Sequence, residues 1–478
     1  MIAFPEPDPA ILARRDDILR GLSPLVAPEA LIVTEDERRV FETDALTAYR
    51  KLPLAVVLPS STEEVAAVMR FCHGAGVKVV ARGAGTSLAG GAIPLEDAIV
   101  LGVAKMNRLL SADFQNRTAR VQSGITNLGI SQAVAHEGFF YAPDPSSQLA
   151  CTIAGNIGMN SGGAHCLKYG VTTNNLLGVT MVLHDGTVVE IGGEHLDSPG
   201  YDLLGLICGS EGQLGIVTEA VVRIIRAAEG ARPALMGFDS VEAAGACVAA
   251  IVGAGIIPVA LEYMDRPAIQ ICEAFAHAGY PLDVEAMLII EVEGSDAECE
   301  AMLARIVEIA KPFGPRALKV AQTEAEAAAI WKGRKSAFGA TGRISDYICM
   351  DGTIPTGQLP HVLERIDAIF REKGLRVANV FHAGDGNLHP LILFDINKPG
   401  EMAKAEAAGE EVLKLCVEVG GCLTGEHGVG IEKRDLMRCQ YGEADLAQQM
   451  RVRDLFDPRG LLNPGKVFPL DARPRAAA

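Results

Sequence analysis

Apolar and polar positions in the first half of the chain alternate on a short scale, which is typical of small helices and strands separated by glycine turns. Apolar spacing over Glu63–His73 predicts a helix, and the continuously apolar runs Val77–Ala81 and Ala98–Val103 predict buried strands. Val179–Leu183 and Thr187–Ile191 flank an Asp-Gly pair, which predicts a β-hairpin. We therefore expect the first half to mix short helices with strands.

The second half has longer elements, and the change follows Arg232-Pro233. Ser240–Ala254 and Ser295–Ala310 have helical spacing, whereas Val259–Met264 and Ala286–Glu293 have the apolar character of strands. Helices and strands in this order predict a second α+β domain with an antiparallel sheet.

These patterns divide the chain into four parts. We predict a helical N-terminal segment (1–50), a first domain (51–230), a second domain (231–455) and a C-terminal segment (456–478). The uncharged run 243–261 is interrupted by glycines and a proline, so it predicts a buried helix, a turn and a strand instead of a membrane span.

Composition and charge exclude several classes of function. The 478 residues carry a formal net charge of −17, which argues against binding to nucleic acid or to anionic lipid. The N-terminus has no apolar signal-peptide core, and the 11 cysteines contain no C-x-x-C pair, so we expect reduced thiols in the cytoplasm. Glycine is in excess, with 51 residues, or about one in nine against a usual one in fourteen.

Eleven of these glycines lie in three polar clusters of the first half, Arg82–Gly91, Thr152–Gly163 and Gly209–Thr218. The first cluster has neither the spacing of a Rossmann turn nor that of a Walker A loop. A single cluster is equally well explained as a structural turn. Three such clusters in one domain favour a large ligand that the backbone approaches closely.

A second candidate site lies in the other half. His382 and His389 flank a Gly-Asp-Gly-Asn stretch that can reverse the chain, and Glu426 follows in a Gly-Glu-His-Gly turn. Two imidazoles and one carboxylate are typical of a catalytic metal site, for which Zn²⁺ fits and Mn²⁺, Fe²⁺ and Co²⁺ stay open. The alternative is structural histidines beside glycine turns. His427 is the candidate general base, or else a hydrogen-bond donor to the metal ligands.

With these motifs the chain resembles the FAD-linked D-2-hydroxyacid dehydrogenases and oxidases, which have an FAD-binding domain of the vanillyl-alcohol oxidase type. The resemblance covers about residues 35–470 and is greatest to the flavin subunits of bacterial glycolate oxidases. It implies an α+β fold, with FAD bound by residues 51–230, a substrate- and metal-binding cap domain at 231–455, and a segment 456–478 that returns to the FAD domain.

The resemblance also implies which residues contact the flavin. Ala84 stands where members with covalent FAD often carry a histidine, so we expect non-covalent FAD. The matching residues are Arg82, Gly83, Ala84, Gly85, Thr86, Ser87, Pro143, Asp144, Thr152, Gly155, Asn156, Ser161, Gly162, Glu211, Gly215, Ile216, Val217 and Asn463.

In the second half, the family's metal ligands match His382, His389 and Glu426, and its substrate-binding arginine matches Arg334. A guanidinium binds a carboxylate through two hydrogen bonds. The alternative for this arginine is a solvated position on a helix. Three nearby cations compete for its role: Lys332, Lys335 and Arg343.

The implied activity is oxidation of a small 2-hydroxy acid, of the glycolate or D-lactate type, to the 2-oxo acid, with His427 and Arg334 as catalytic residues. Tyr347–Asp351 has no basic residue for a second carboxylate, which favours a monocarboxylate over D-2-hydroxyglutarate. Two further alternatives are a flavin-dependent non-redox synthase of the same fold and a non-catalytic FAD-binding subunit. We expect the electrons to go to an Fe–S subunit, an electron-transfer flavoprotein or a quinone. We also expect a homodimer or a hetero-oligomeric complex. The expected location is the cytoplasm, or the inner face of the membrane if a partner attaches the protein there.

Overall fold

The computed structural model describes residues 2–195 and 200–472, and helices and strands mix throughout them. The helices are α1 (Pro9–Ala13), α2 (Arg15–Leu22), α3 (Glu35–Arg38), α4 (Thr62–Ala75), α5 (Asn127–Val134), α6 (Ile153–Met159), α7 (Cys166–Tyr169), α8 (Thr172–Asn175), α9 (Leu203–Ile207), α10 (Val241–Gly253), α11 (Arg266–Ala276), α12 (Asp296–Ala310), α13 (Glu324–Lys335), α14 (Ala337–Gly342), α15 (Leu359–Lys373), α16 (Glu401–Glu418), α17 (Met437–Gln440) and α18 (Glu443–Phe456).

The strands are β1 (Leu31–Ile32), β2 (Ala55–Val57), β3 (Lys78–Arg82), β4 (Ala98–Gly102), β5 (Leu109–Asp113), β6 (Thr118–Gln122), β7 (Phe139–Phe140), β8 (Leu176–Val182), β9 (Val188–Gly192), β10 (Ile216–Arg223), β11 (Ile225–Arg226), β12 (Gly230–Phe238), β13 (Ala260–Asp265), β14 (Ala286–Gly294), β15 (Leu318–Val320), β16 (Asp346–Cys349), β17 (Gly352–Thr353), β18 (Arg376–His382), β19 (Asn387–Leu388) and β20 (Pro390–Phe394). This mixture confirms the predicted α+β class.

The chain forms two compact units. Unit one takes its described residues from Met1–Gly162, Gly170–Ala227 and Glu426–Ala478, and unit two from Gly163–Tyr169 and Ala228–Gly425. Each unit is therefore assembled from separate stretches of the sequence.

Unit two ends at Gly425, whereas the sequence patterns place the end of the second domain at residue 455. The difference has a physical cause, because the N–H groups of Ile431 and Glu432 both donate to the carbonyl of Ala89, at 2.9 and 3.2 Å. These bonds attach the stretch after Glu426 to unit one. Residues 473–478 of the predicted C-terminal segment lie outside the described residues.

Unit one contains a small sheet of order β1-β2-β4-β3, in which β2, β4 and β3 run parallel. Every residue of β4 is buried, as expected for a strand between two parallel neighbours. Helix α4 packs on this sheet, and its N-terminus is capped by Ser61, whose side chain accepts from the N–H of Glu64. Unit one also contains a two-stranded sheet of β7 and β11 and an antiparallel sheet of order β5-β6-β10-β8-β9, in which β8 and β9 form the predicted hairpin. The first glycine cluster lies between β3 and β4.

Unit two is built on an antiparallel sheet of order β15-β12-β14-β13-β18-β19-β17, to which β20 and β16 are added beside β18. Strand β13 lies between β14 and β18 and is buried along its whole length. The uncharged run 243–261 forms α10, which ends at Gly253, and the start of β13, as predicted. None of the helices within the described residues has the length and apolar character needed to cross a bilayer.

Candidate active site

The loop between β3 and β4 presents backbone donors. The N–H groups from Ala84 to Leu88 form no hydrogen bond with any described residue. Gly85 has a φ of +74°, and a Cβ there would collide with the guanidinium of Arg82, which packs beneath the loop and donates to the carbonyl of Thr43 at 2.8 Å. Successive N–H groups on a loop of this kind suit the oxygens of a phosphate.

The second predicted stretch adjoins this loop within unit one. A Cβ on Gly83 would lie 2.4 Å from Oγ1 of Thr152 and 3.2 Å from the amide nitrogen of Gly155, so only glycine permits this approach. Asn127 joins two further parts of the set, because its Nδ2 donates to the carbonyl of Pro143 at 3.0 Å and to Oδ1 of Asn156 at 3.1 Å. The structure therefore brings the first two glycine clusters together.

Glu211 and Asn463 are buried, and their polar groups bond to the chain itself. The carboxylate of Glu211 accepts from the N–H groups of Val429 at 2.6 Å and Gly430 at 2.8 Å. The Nδ2 of Asn463 donates to the carbonyl of Gly91 at 3.0 Å and to that of Glu211 at 2.7 Å. These two side chains hold the glycine clusters in place; direct contact of either with a flavin stays a prediction.

The remaining members of the predicted set also lie in unit one. Ser161 and Gly162 follow the C-terminal cap of α6, and the carbonyl of Ser161 accepts from Thr172. Gly215 has a φ of +155°, and a Cβ there would lie 2.8 Å from Sδ of Met181. Ile216 and Val217 then begin β10, and Asp144 follows Pro143 in the loop after β7.

Sequence reasoning missed Asp44, a buried carboxyl behind the first loop. Its Oδ1 accepts from the N–H of Leu46 at 3.0 Å and its Oδ2 from the N–H of Ala92 at 3.2 Å. Burial raises the pKa of Asp44 to about 6, against the lowering effect of these bonds and of the nearby Arg82 charge. No local motif marks this aspartate, because one of its partners, Ala92, lies 48 positions along the chain.

In unit two, a chain reversal brings His382 and His389 face to edge. His382 ends β18 and His389 follows β19, with Gly386 at a φ of +71° between them. The two ring centroids are 5.2 Å apart and the ring planes meet at 82°. Both side chains are buried.

Glu262 on β13 contacts two of the predicted site residues, and sequence reasoning missed it. Its Oε1 lies 2.7 Å from Nδ1 of His382, and its Oε2 accepts from Nη2 and Nε of Arg334 at 2.6 and 2.8 Å. Glu262 has no solvent exposure. Burial alone would raise its pKa, but the interactions with His382 and Arg334 outweigh burial and hold the pKa below its usual value. The sequence does contain one sign of this residue's importance, which is a glutamate inside an otherwise apolar strand.

Arg334 lies in the last turn of α13 and is 3% exposed. The competing cations Lys332, Lys335 and Arg343 are exposed. The helix comes close to α11 and the loop after it because residue 333 is glycine: a Cβ there would lie 2.4 Å from the hydroxyl oxygen of Tyr280. While Nε and Nη2 of Arg334 bind Glu262, Nη1 forms no hydrogen bond with the described residues. This burial is inconsistent with a solvated helix-face arginine.

Asp351 is a second buried carboxylate beside a candidate ligand. Its Oδ1 lies 3.4 Å from Nε2 of His389, and its Oδ2 accepts from the hydroxyl of Thr424 and, at 3.1 Å, from the N–H of Gly425. Asp351 thereby fixes the end of the turn that immediately precedes Glu426 in the chain.

Glu426 and His427 are the first residues of the stretch that belongs to unit one. Oε1 of Glu426 lies 3.9 Å from Nε2 of His427, and each side chain is about one tenth exposed. A Cβ on Gly162 would lie 2.9 Å from Oε2 of Glu426, so this carboxylate closely adjoins the second glycine cluster. The roles of Glu426 as a metal ligand and of His427 as a base stay predictions.

Comparison with known proteins gives matches along almost the whole chain. Residues 53–192 match the family model of an FAD binding domain, and residues 228–467 match that of the C-terminal domain of FAD linked oxidases. The chain is 50% identical over 456 residues to glycolate oxidase subunit GlcD of Escherichia coli (strain K12), which covers 95% of this chain and 91% of that protein. It is 31% identical to a D-lactate dehydrogenase of Anaerostipes hadrus, over 92% of this chain and 95% of that one.

Among solved structures, p-cresol methylhydroxylase with bound substrate is similar with a TM-score of 0.82 at 15% identity, over 99% of this chain and 100% of that one. At this identity the likeness concerns the fold alone. It agrees with an FAD-binding domain of the vanillyl-alcohol oxidase type.

Proposed function

The chain belongs to the family of FAD-linked oxidases, and from this premise we propose that it oxidises a small 2-hydroxy acid of the glycolate or D-lactate type to the 2-oxo acid. The comparisons confirm three predictions from the sequence motifs: the family, the FAD cofactor and the oxidoreductase class. The substrate type is supported by the names of the relatives, a glycolate oxidase subunit and D-lactate dehydrogenases.

One observation in the structure supports the proposal: the guanidinium of the buried Arg334 forms hydrogen bonds through one of its edges only. Arg334 gives Nε and Nη2 to Glu262, which sets the plane of the guanidinium. A substrate carboxylate can then accept from the remaining Nη1, in a site where burial strengthens a charge-assisted hydrogen bond. We assign to Arg334 the binding of the substrate carboxylate.

The residues present fit both FAD and a divalent cation. Free N–H groups on the first loop fit the pyrophosphate of non-covalently bound FAD, and the imidazoles of His382 and His389, each beside a buried carboxylate, have the donor chemistry of a divalent metal site. Glu426 is the third candidate ligand from the sequence, and zinc the first candidate metal. When bound, FAD supplies a hydride acceptor and the cation supplies a Lewis acid that acidifies the 2-hydroxyl.

The chain's own residues then have distinct tasks. Arg334 binds the carboxylate and fixes the orientation of C2, Glu262 orients Arg334 and His382, and His427 accepts the hydroxyl proton on a ring nitrogen. The electrons go on to an acceptor that we propose to be a partner Fe–S subunit, an electron-transfer flavoprotein or a quinone.

The test is anaerobic bleaching of the flavin absorbance by a panel of glycolate, D-lactate, L-lactate and D-2-hydroxyglutarate. We expect rapid bleaching by glycolate or D-lactate and slow bleaching by L-lactate. Fastest bleaching by D-2-hydroxyglutarate would refute the substrate class, and a flavin that no 2-hydroxy acid bleaches would refute the oxidase activity and favour a non-redox role.

A further inference from the structure

We propose that Glu262 is a positioning residue that couples the carboxylate-binding arginine to the metal site. It contacts neither substrate nor metal in this assignment; it acts through its neighbours. One carboxylate oxygen faces His382 at 2.7 Å, and the other binds Arg334 at 2.6 and 2.8 Å. This inference deepens the proposed function and rests on it.

The contact with His382 sets the tautomer of the imidazole. A carboxylate accepts hydrogen bonds and cannot donate them, so the Nδ1 that faces Glu262 must carry the ring proton. The lone pair of the imidazole is then on Nε2, where it can bind a cation. Strand register fixes the pairing, because Glu262 lies directly opposite His382 on the neighbouring strands β13 and β18. Ring orientation and basicity of the ligand therefore depend on a residue 120 positions away.

The contact with Arg334 sets the plane of the guanidinium. Both donors on one edge converge on Oε2 of Glu262, so rotation of the head group would break two charge-assisted hydrogen bonds. Such a buried ion pair is by itself weak grounds for a stabilising role, since apolar replacements are often as stable. A function in positioning explains why a fully buried glutamate interrupts an apolar strand.

A glutamine at this position cannot serve both partners. If its oxygen accepts from Arg334, its NH₂ faces His382 and requires an unprotonated Nδ1, which moves the proton to the metal-facing nitrogen. If the oxygen instead faces His382, the NH₂ opposes the donors of Arg334. Either orientation disturbs one side of the site, although volume and shape are conserved.

The experiment measures metal affinity by chelator competition on the FAD-loaded protein, together with KM and kcat at saturating metal. For Glu262→Gln we expect metal affinity to fall by about 10- to 100-fold, with KM raised more than kcat is lowered. Glu291→Gln is the matched control, because Glu291 lies on the adjacent strand β14 and accepts from Trp331 at 2.8 Å without touching either partner of Glu262. The control should keep wild-type metal affinity and KM.

Wild-type metal affinity and KM in Glu262→Gln, or equal losses in Glu291→Gln, would overturn the coupling. If Glu262→Gln loses its flavin, Glu262→Asp is measured instead: the charge is kept but the side chain is one methylene shorter, and unchanged metal affinity and KM would again overturn it. Failure of the proposed function looks different, because no 2-hydroxy acid would then bleach the flavin of the wild-type protein, whatever the metal affinity of the variants.

Discussion

Replacing Arg334 by lysine tests the carboxylate-binding assignment with its charge preserved. The guanidinium is a rigid fork whose Nε and Nη2 bind Glu262 and whose Nη1 has no hydrogen-bonding partner among the described residues. A lysine ammonium presents donors from one point. If the ammonium pairs with the carboxylate of Glu262, it holds no second donor in a fixed plane for the substrate carboxylate.

The magnitude follows from the bonds lost. The substitution removes at least one charge-assisted hydrogen bond to the substrate carboxylate, which is worth about 1.5–3 kcal/mol. Since about 1.4 kcal/mol is tenfold in rate, kcat/KM should fall by about 10- to 150-fold. A carboxylate is bound in both the ground state and the transition state, so we expect most of the loss in KM.

The assay is rapid anaerobic mixing with increasing glycolate or D-lactate, with flavin reduction followed by absorbance. Arg343→Lys makes the same chemical change at an exposed position and should keep wild-type kinetics. Flavin content and the melting temperature of both variants show whether the fold is retained.

An unchanged KM in Arg334→Lys would refute the reasoning. So would a comparable loss in Lys332→Gln, because that exposed lysine is a rival cation on the same helix.

Other predictions concern the cofactor, the base and a buried acid. Gly83→Ala would place a Cβ 2.4 Å from Oγ1 of Thr152, so purified protein should contain less FAD per chain by absorbance; Gly74→Ala, with nothing within 4 Å, should keep full flavin content. His427→Ala should slow flavin reduction by about 100-fold or more at saturating substrate, and a wild-type rate would exclude it as the base. Asp265 has its pKa raised to about 7 by burial, above the roughly 3.9 of a free aspartate, so the folded state binds this proton more tightly. Its contribution to stability is full below about pH 4 and is lost as pH rises through 7. In urea titrations between pH 4.5 and 7.5, the free energy of unfolding of Asp265→Asn should therefore rise relative to that of the wild type. Parallel pH profiles of the two proteins would contradict this.

The sequence predicts elements whose cause is local. The hairpin of β8 and β9 follows from two apolar runs around an Asp-Gly turn, and the reversal after His382 depends on Gly386, which adopts a positive φ. Helix α4 begins at its capping serine. In each case the residues that decide the structure are neighbours in the chain.

What the sequence does not reveal depends on distant partners. Glu262 meets Arg334 from 72 positions away, and Asp351 meets Thr424 from 73. Both carboxylates lie within or beside apolar strands, where periodicity describes only which face is buried. The return of the chain to unit one at Glu426 is set in the same way, by hydrogen bonds to Ala89 and Glu211 that no local pattern encodes.

The interleaving of the two units determines how the protein responds to a protease. The chain passes from one unit to the other after Gly162, Tyr169, Ala227 and Gly425. A single cut at any one of these places leaves the units joined by covalent bonds elsewhere. A fragment of residues 228–425 would lack α7, which belongs to unit two. It would therefore lose Lys168, whose ammonium pairs with Glu293 at 2.7 Å. Limited proteolysis should therefore nick the chain without releasing a self-sufficient fragment, and neither half is a natural module for transfer to another protein.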